Sequence, residues 1–136
     1  MGQKNVQFAC KSIAGESITI EIWKTKKKKY KHREAQKDAI YIVLFNGIPS
    51  SENCSGQKPL LNDKPAINKF KEIEKEFFAG SGPWIKFSLN GNYHEEIQSQ
   101  ENNRIHIISV NKNQLRKYLE QEKIIKPLNS IFYNEN

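Results

Sequence analysis

A chain of 136 residues with 37% hydrophobic content has the size of one domain and enough apolar side chains for a modest core. No apolar run approaches the roughly 20 residues that span a bilayer and no secretory leader pattern is present, so no transmembrane segment is expected in this chain. The formal charge of +7 is local: Lys24, Lys26, Lys27, Lys28, Lys29, Lys31 and Arg33 supply seven cations with no acid among residues 24–33, and the remaining 15 basic and 15 acidic residues cancel. That pattern argues against a uniformly basic nucleic-acid-binding domain, whose Lys and Arg would return along several elements.

In chain order, Val6, Phe8 and Cys10 alternate and predict a short edge strand ahead of an Ala14-Gly15 turn. Glu16 to Trp23 alternates cleanly, with Ile18, Ile20 and Ile22 on one side and Thr19, Glu21 and Trp23 on the other, the period of a half-buried strand. After the basic turn, Lys31 to Phe45 fits a helix with Ala35, Ala39, Ile42 and Val43 on one face and Ile40 and Leu44 widening the stripe. Asn46-Gly47 ends it and Pro49 prevents its resumption. Residues 50–65 read as a long loop, with Cys54 and Leu60-Leu61 as anchors onto the body; loops of this length are uncommon unless tied down or functional.

Asp63 caps a second helix with Pro65 in its first turn and Ile67, Phe70, Ile73 and Phe77 on one face down to Ala79-Gly80. Its other face carries Lys69, Lys71, Glu72, Lys75 and Glu76. Ser81-Gly82-Pro83 then precedes an expected strand, Trp84 to Leu89, with Ile85, Phe87 and Leu89 sharing a face. Asn90-Gly91-Asn92 is a turn, and residues 92–103 read as a mobile polar connection rather than a tight two-residue hairpin. Arg104 to Val110 is a further strand. Asn111 with Gln114 starts a last helix whose Leu115, Tyr118 and Leu119 turn inward, after which Ile124, Ile125, Leu128, Ile131 and Phe132 are expected to pack the C-terminal tail, with Pro127 preventing simple continuation of the helix. The order predicts an α+β fold: a small antiparallel sheet of three or four strands packed on one face by about three helices, one domain over residues 1–136 with 1–4 and 133–136 frayed.

Three pieces carry a family resemblance: Glu34-Ala35-Gln36-Lys37-Asp38-Ala39-Ile40 leading to Phe45-Asn46-Gly47-Ile48; Gly56-Gln57-Lys58-Pro59-Leu60; and Glu76-Phe77-Phe78 before Trp84-Ile85-Lys86-Phe87. In this order, over most of residues 16–128, the chain resembles a group of small exported proteins from Bacteroidetes without an assigned function. The resemblance implies a compact α+β domain similar to those of envelope lipoproteins, in a periplasmic or envelope-associated location reached after removal of a signal outside this sequence. It supplies no catalytic residues, and the lysine-rich turn is a departure from the group.

Within that frame the basic turn is the candidate site. Lys24, Lys26, Lys27, Lys28, Lys29, Lys31 and Arg33 create a local positive potential able to attract phosphate, acidic polysaccharide, anionic lipid or an acidic protein surface, and Tyr30 and Trp23 can stack on a base or sugar. A solvated turn that aids solubility is the more ordinary use of such a run, and lysine favours nonspecific attraction over bidentate recognition. His32, His94 and His106 are isolated in sequence, and His106 is expected on the outward face of the strand that holds Ile108 and Val110. Glu95-Glu96, Ser50-Ser51, Ser55, Gly80 and Gly82 lack the contexts of an acid/base pair, a nucleophile or a phosphate loop. The loop from Asn53 to Asp63 either forms part of a binding surface or, on the favoured reading, seals the core edge with Leu60 and Leu61. Cys10 and Cys54 lack metal-site spacing; a disulfide in an exported protein and two buried thiols stand about equal. These readings point to a non-enzymatic, exported interaction or structural module with an envelope protein or anionic polymer as partner and no metal or cofactor. A nucleic-acid-binding accessory protein using residues 24–33 is the alternative, and an enzyme whose distant side chains meet on folding is the third class.

Overall fold

The computed structural model describes residues 6–24, 29–88, 98–100 and 103–128. Lys26, Lys27, Lys28, Leu89, the 90–92 turn, His94, Glu95-Glu96, Ile131, Phe132 and both expected frayed ends lie outside them. The strands β1 (Val6–Ala14), β2 (Ser17–Lys24), β3 (Gln98–Gln100) and β4 (Asn103–Asn111) form an antiparallel sheet in the order β1-β2-β4-β3. The helices are α1 (His32–Tyr41), α2 (Lys64–Phe77) and α3 (Lys112–Gln121). The small α+β domain expected from the sequence is therefore the one formed.

The alternation of β2 builds the sheet's inner face. Ile18, Ile20 and Ile22 are buried, and their partners across the ladder, Val110, Ile108 and His106, lie on the same side. Along β1 the inward positions run Val6, Phe8, Cys10 and then Ile13, a change of parity. A bulge between Cys10 and Ser12 absorbs it: one extra residue, Lys11, returns Ile13 to its place opposite Ile18. Gly15, at φ +60°, makes the tight turn into β2.

The apolar stripe of α1 continues past Tyr41 as a π-type segment, Ile42–Asn46, closed by the Gly47 N–H donating to the Ile42 carbonyl at 2.8 Å. Gly47 has φ +77°, and a Cβ there would fall 2.5 Å from the Gln57 carbonyl oxygen, so the long loop approaches closest where no side chain intervenes. Ile48 and Gln57 exchange two backbone hydrogen bonds of 2.8 Å. The N–H groups of Leu60 and Leu61 satisfy the carbonyls of Val43 and Leu44. A segment without helix or strand is thereby paired along its backbone, and Leu60 and Leu61 close the core beneath it.

Four sequence expectations are corrected. The stretch after Gly82 is a 3₁₀ turn, Pro83–Phe87, rather than a strand. Proline at the first position presets a helical φ, and the buried residues, Trp84 and Phe87, are three apart, the 3₁₀ period. Ile85, placed by alternation on one face with Phe87, is 42% exposed while Phe87 is buried, and the Trp84 indole donates to the Ala79 carbonyl at 2.8 Å. Residues 98–100 pair with β4, so the connection between expected strands itself carries a strand. His106 faces inward rather than outward, because Ile108 and Val110 share its side of β4 and that side meets the core. Leu128, expected to pack the tail, is 52% exposed.

Candidate functional site

The basic turn joins β2 to α1, and its one aromatic is what holds it down. Tyr30 is 1% exposed and Asp38, two turns into α1, is 7% exposed. The phenol donates to Asp38 Oδ2 at 2.6 Å. Burial, and then the Asp38 carboxylate, push the Tyr30 phenol well above its ordinary range, so it stays a protonated donor. At the other end of the residue, the Tyr30 backbone carbonyl accepts from His106 Nε2 at 2.7 Å, and the two rings meet edge to face at 5.4 Å.

A carbonyl can only accept, so the proton of a neutral His106 sits on Nε2, which leaves Nδ1 as an acceptor. The nearest ring nitrogen is His32 Nδ1 at 3.1 Å, and of these two Nδ1 atoms one donates to the other. The order Asp38, Tyr30, His106, His32 is a chain of hydrogen bonds that links α1, the turn and β4. It brings together two of the sequence's three histidines, 74 residues apart. Both ring nitrogens of His106 are used in holding the turn, and the Tyr30 hydroxyl is committed to Asp38. This is an anchoring arrangement. Among the described residues, no group of three or more His, Cys, Asp or Glu side chains is arranged to hold a metal ion.

The remaining described residues of the turn divide between packing and solvent. Lys24 Nζ lies 5.1 Å from the centre of the Tyr30 ring. The Arg33 guanidinium donates to the Gly80 carbonyl and lies 4.9 Å from the Trp84 ring centre, with Lys37 Nζ at 5.3 Å from the same ring. Lys29 and Lys31 are exposed, and Lys31 occupies the N-cap of α1 with its backbone N–H donating to Glu34 at 3.1 Å. The stacking role expected of Tyr30 is corrected, since its ring is enclosed by core, and Arg33 is engaged in tying α1 to the corner after α2.

Asp38 and the inward-facing His106 were not expected at the site. A signal for Asp38 was present: the helical stripe that includes Ala35, Ala39 and Ile42 passes beside it, and a carboxylate on a buried face needs a donor. The identity of that donor was not legible, because it lies outside the helix.

Cys10 and Cys54 form a disulfide, with Cα atoms 6.2 Å apart and a sequence separation of 44. The bond fastens the outer strand of the sheet to the long loop, so the alternative of two reduced thiols is not the one adopted. Ser50, Ser51 and Ser55 around it are exposed. No family model matches the chain, and neither a curated protein nor a solved structure matches it.

Proposed function

We propose that this chain is an exported, non-enzymatic interaction module of the bacterial envelope that presents the lysines of its β2–α1 turn to an anionic partner. The observation that carries the reading is the Cys10–Cys54 disulfide, because such bonds persist in oxidising compartments and are rare in the reducing cytosol. The turn supports the second half. Its exposed Lys29 and Lys31 stand on a backbone pinned by Tyr30 at both ends, so the cations are displayed from a fixed base. The side chains best suited to reading nucleic acid, the arginine fork of Arg33 and the ring of Tyr30, are taken up by the fold, which favours a charged polymer or protein surface over base recognition.

Fractionation of cells expressing the complete reading frame tests the location, with the protein expected in the periplasmic or envelope fraction; a wholly cytoplasmic product would overturn it. The partner class is tested by titrating an acidic polysaccharide against the wild type and the Lys29→Gln/Lys31→Gln variant. Binding should weaken with salt and with loss of the two charges, because counterions are released on association. Salt-independent binding, or an unaltered affinity in the variant, would remove the turn from the account.

A further inference from the structure

A groove of about 710 Å³ opens between the first turns of α2, the last turns of α3 and residues 123–127. That volume lies within the range of roughly 300–1,000 Å³ occupied by small-molecule sites. Its floor is apolar and buried, made by Leu60, Ala66 and Ile124. Four cations line it, Lys69, Arg116, Lys123 and Lys126, against two carboxylates, Asp63 and Glu120. Asp63 uses one oxygen to cap α2, accepting from the Ala66 N–H at 2.9 Å. Lys69 Nζ donates to the Lys123 carbonyl at 3.5 Å, tying α2 to the end of α3. The charge of Arg116 reaches as far as Lys112, whose ammonium is pulled below its ordinary range by burial and then by Arg116.

The backbone adds an independent observation. α3 ends in a Schellman turn: the Ile124 N–H donates to the Leu119 carbonyl at 2.9 Å and the Lys123 N–H to the Glu120 carbonyl at 3.0 Å. The residue in the left-handed position of that turn is Lys123, at φ +61°. Glycine is the ordinary occupant, and a lysine there costs stability. Among the described residues Lys123 is the only non-glycine with positive φ, and its side chain lines the groove. Strained backbone of this kind clusters at ligand-binding positions.

We infer that the groove between α2 and α3 is a binding site for a small amphiphile with an oxyanion head, its apolar body on Leu60, Ala66 and Ile124 and its head among Lys69, Arg116, Lys123 and Lys126. An inorganic anion alone would leave the floor wet, and a neutral apolar molecule would leave unmet the groove's excess of positive charge, four cations against two carboxylates. The site is separate from the lysine turn and does not rest on the export reading.

The test uses the full chain and four probes below their micellar concentrations: decanoate, decyl phosphate, decyl maltoside and inorganic phosphate. Binding is followed by calorimetry and by the backbone amide signals of Ala66, Lys69, Arg116 and residues 123–126. Decanoate or decyl phosphate should shift these amides, and the tighter of the two identifies the head as carboxylate or phosphate; decyl maltoside and inorganic phosphate should bind at least about tenfold more weakly. The variant Lys123→Gly separates binding from folding. It should raise the melting temperature, by relieving the left-handed strain, while weakening the anionic amphiphile about tenfold. Absence of binding by both anionic amphiphiles, equal binding of decyl maltoside, or unchanged affinity in Lys123→Gly would overturn the inference. Concentration-dependent shifts of the same amides without any probe would assign the groove to a second copy of the chain and overturn it as well.

Discussion

Tyr30 stands among seven cations in the sequence, yet only 1% of its surface meets solvent. Its hydroxyl and its carbonyl are both bonded, so one residue converts a stretch of like charges into the start of a helix. Tyr30→Phe keeps the ring but removes a donor from buried Asp38, and should lower unfolding free energy by about 1–3 kcal/mol in a urea titration. The same group sets a pH dependence. A phenol whose folded pKa is raised contributes stability that is fully present below the unfolded value of about 10 and is lost as pH rises above it. Tyr41 and Tyr118 are raised in the same direction, by burial and then by Glu74 and Glu122 respectively. Stability should therefore fall above about pH 10, and less steeply in Tyr30→Phe; an identical alkaline limb in the variant would contradict the assignment. Proton-detected nitrogen spectra should show a proton on His106 Nε2, and an Nε2 without one would break the hydrogen-bond order described. Beyond the place of Asp38 beside the buried stripe of α1, this network was not legible in the sequence, because Tyr30 and His106 lie 76 residues apart and meet only through the sheet.

At the scale of elements, what was legible is what local chemistry decides. Asp63 and Asn111 cap α2 and α3 through hydrogen bonds to Ala66 and Gln114, the residues three positions on. Asp63→Ala should accordingly cost about 1 kcal/mol. The alternation of β2 was equally plain, since all three isoleucines serve one face. The Trp84–Leu89 stretch misled because alternation over so few residues can arise by chance, while Gly82-Pro83 prepares a helical turn just as it ends a preceding helix. The two readings make opposite claims about neighbouring residues. Trp84→Ala should cost about 3–5 kcal/mol, as for other enclosed aromatics, and Ile85→Ala should stay within about 0.5 kcal/mol. A large penalty at Ile85 would restore the strand.

For the molecule as a whole, the sequence located the anchors of the long loop, Cys54, Leu60 and Leu61, but left their partners open. Composition cannot say whether two cysteines meet; that depends on β1 lying beside the loop, a contact made only by the folded chain. The resulting link closes a 44-residue separation, and by loop entropy it should contribute about 4 kcal/mol, a large part of what a domain this size holds in reserve. The lysine turn, the buried Tyr30–Asp38–His106 chain and the disulfide are the three features on which the proposed exported, charge-presenting module rests. That account depends most directly on the state of Cys10 and Cys54 in the protein as its cells make it. Alkylating the protein in denaturant without reductant, directly after recovery from those cells, and weighing it intact is the decisive measurement. The account predicts no added alkyl group until a reductant is supplied, after which both cysteines are modified; two alkylated thiols without reductant would contradict it.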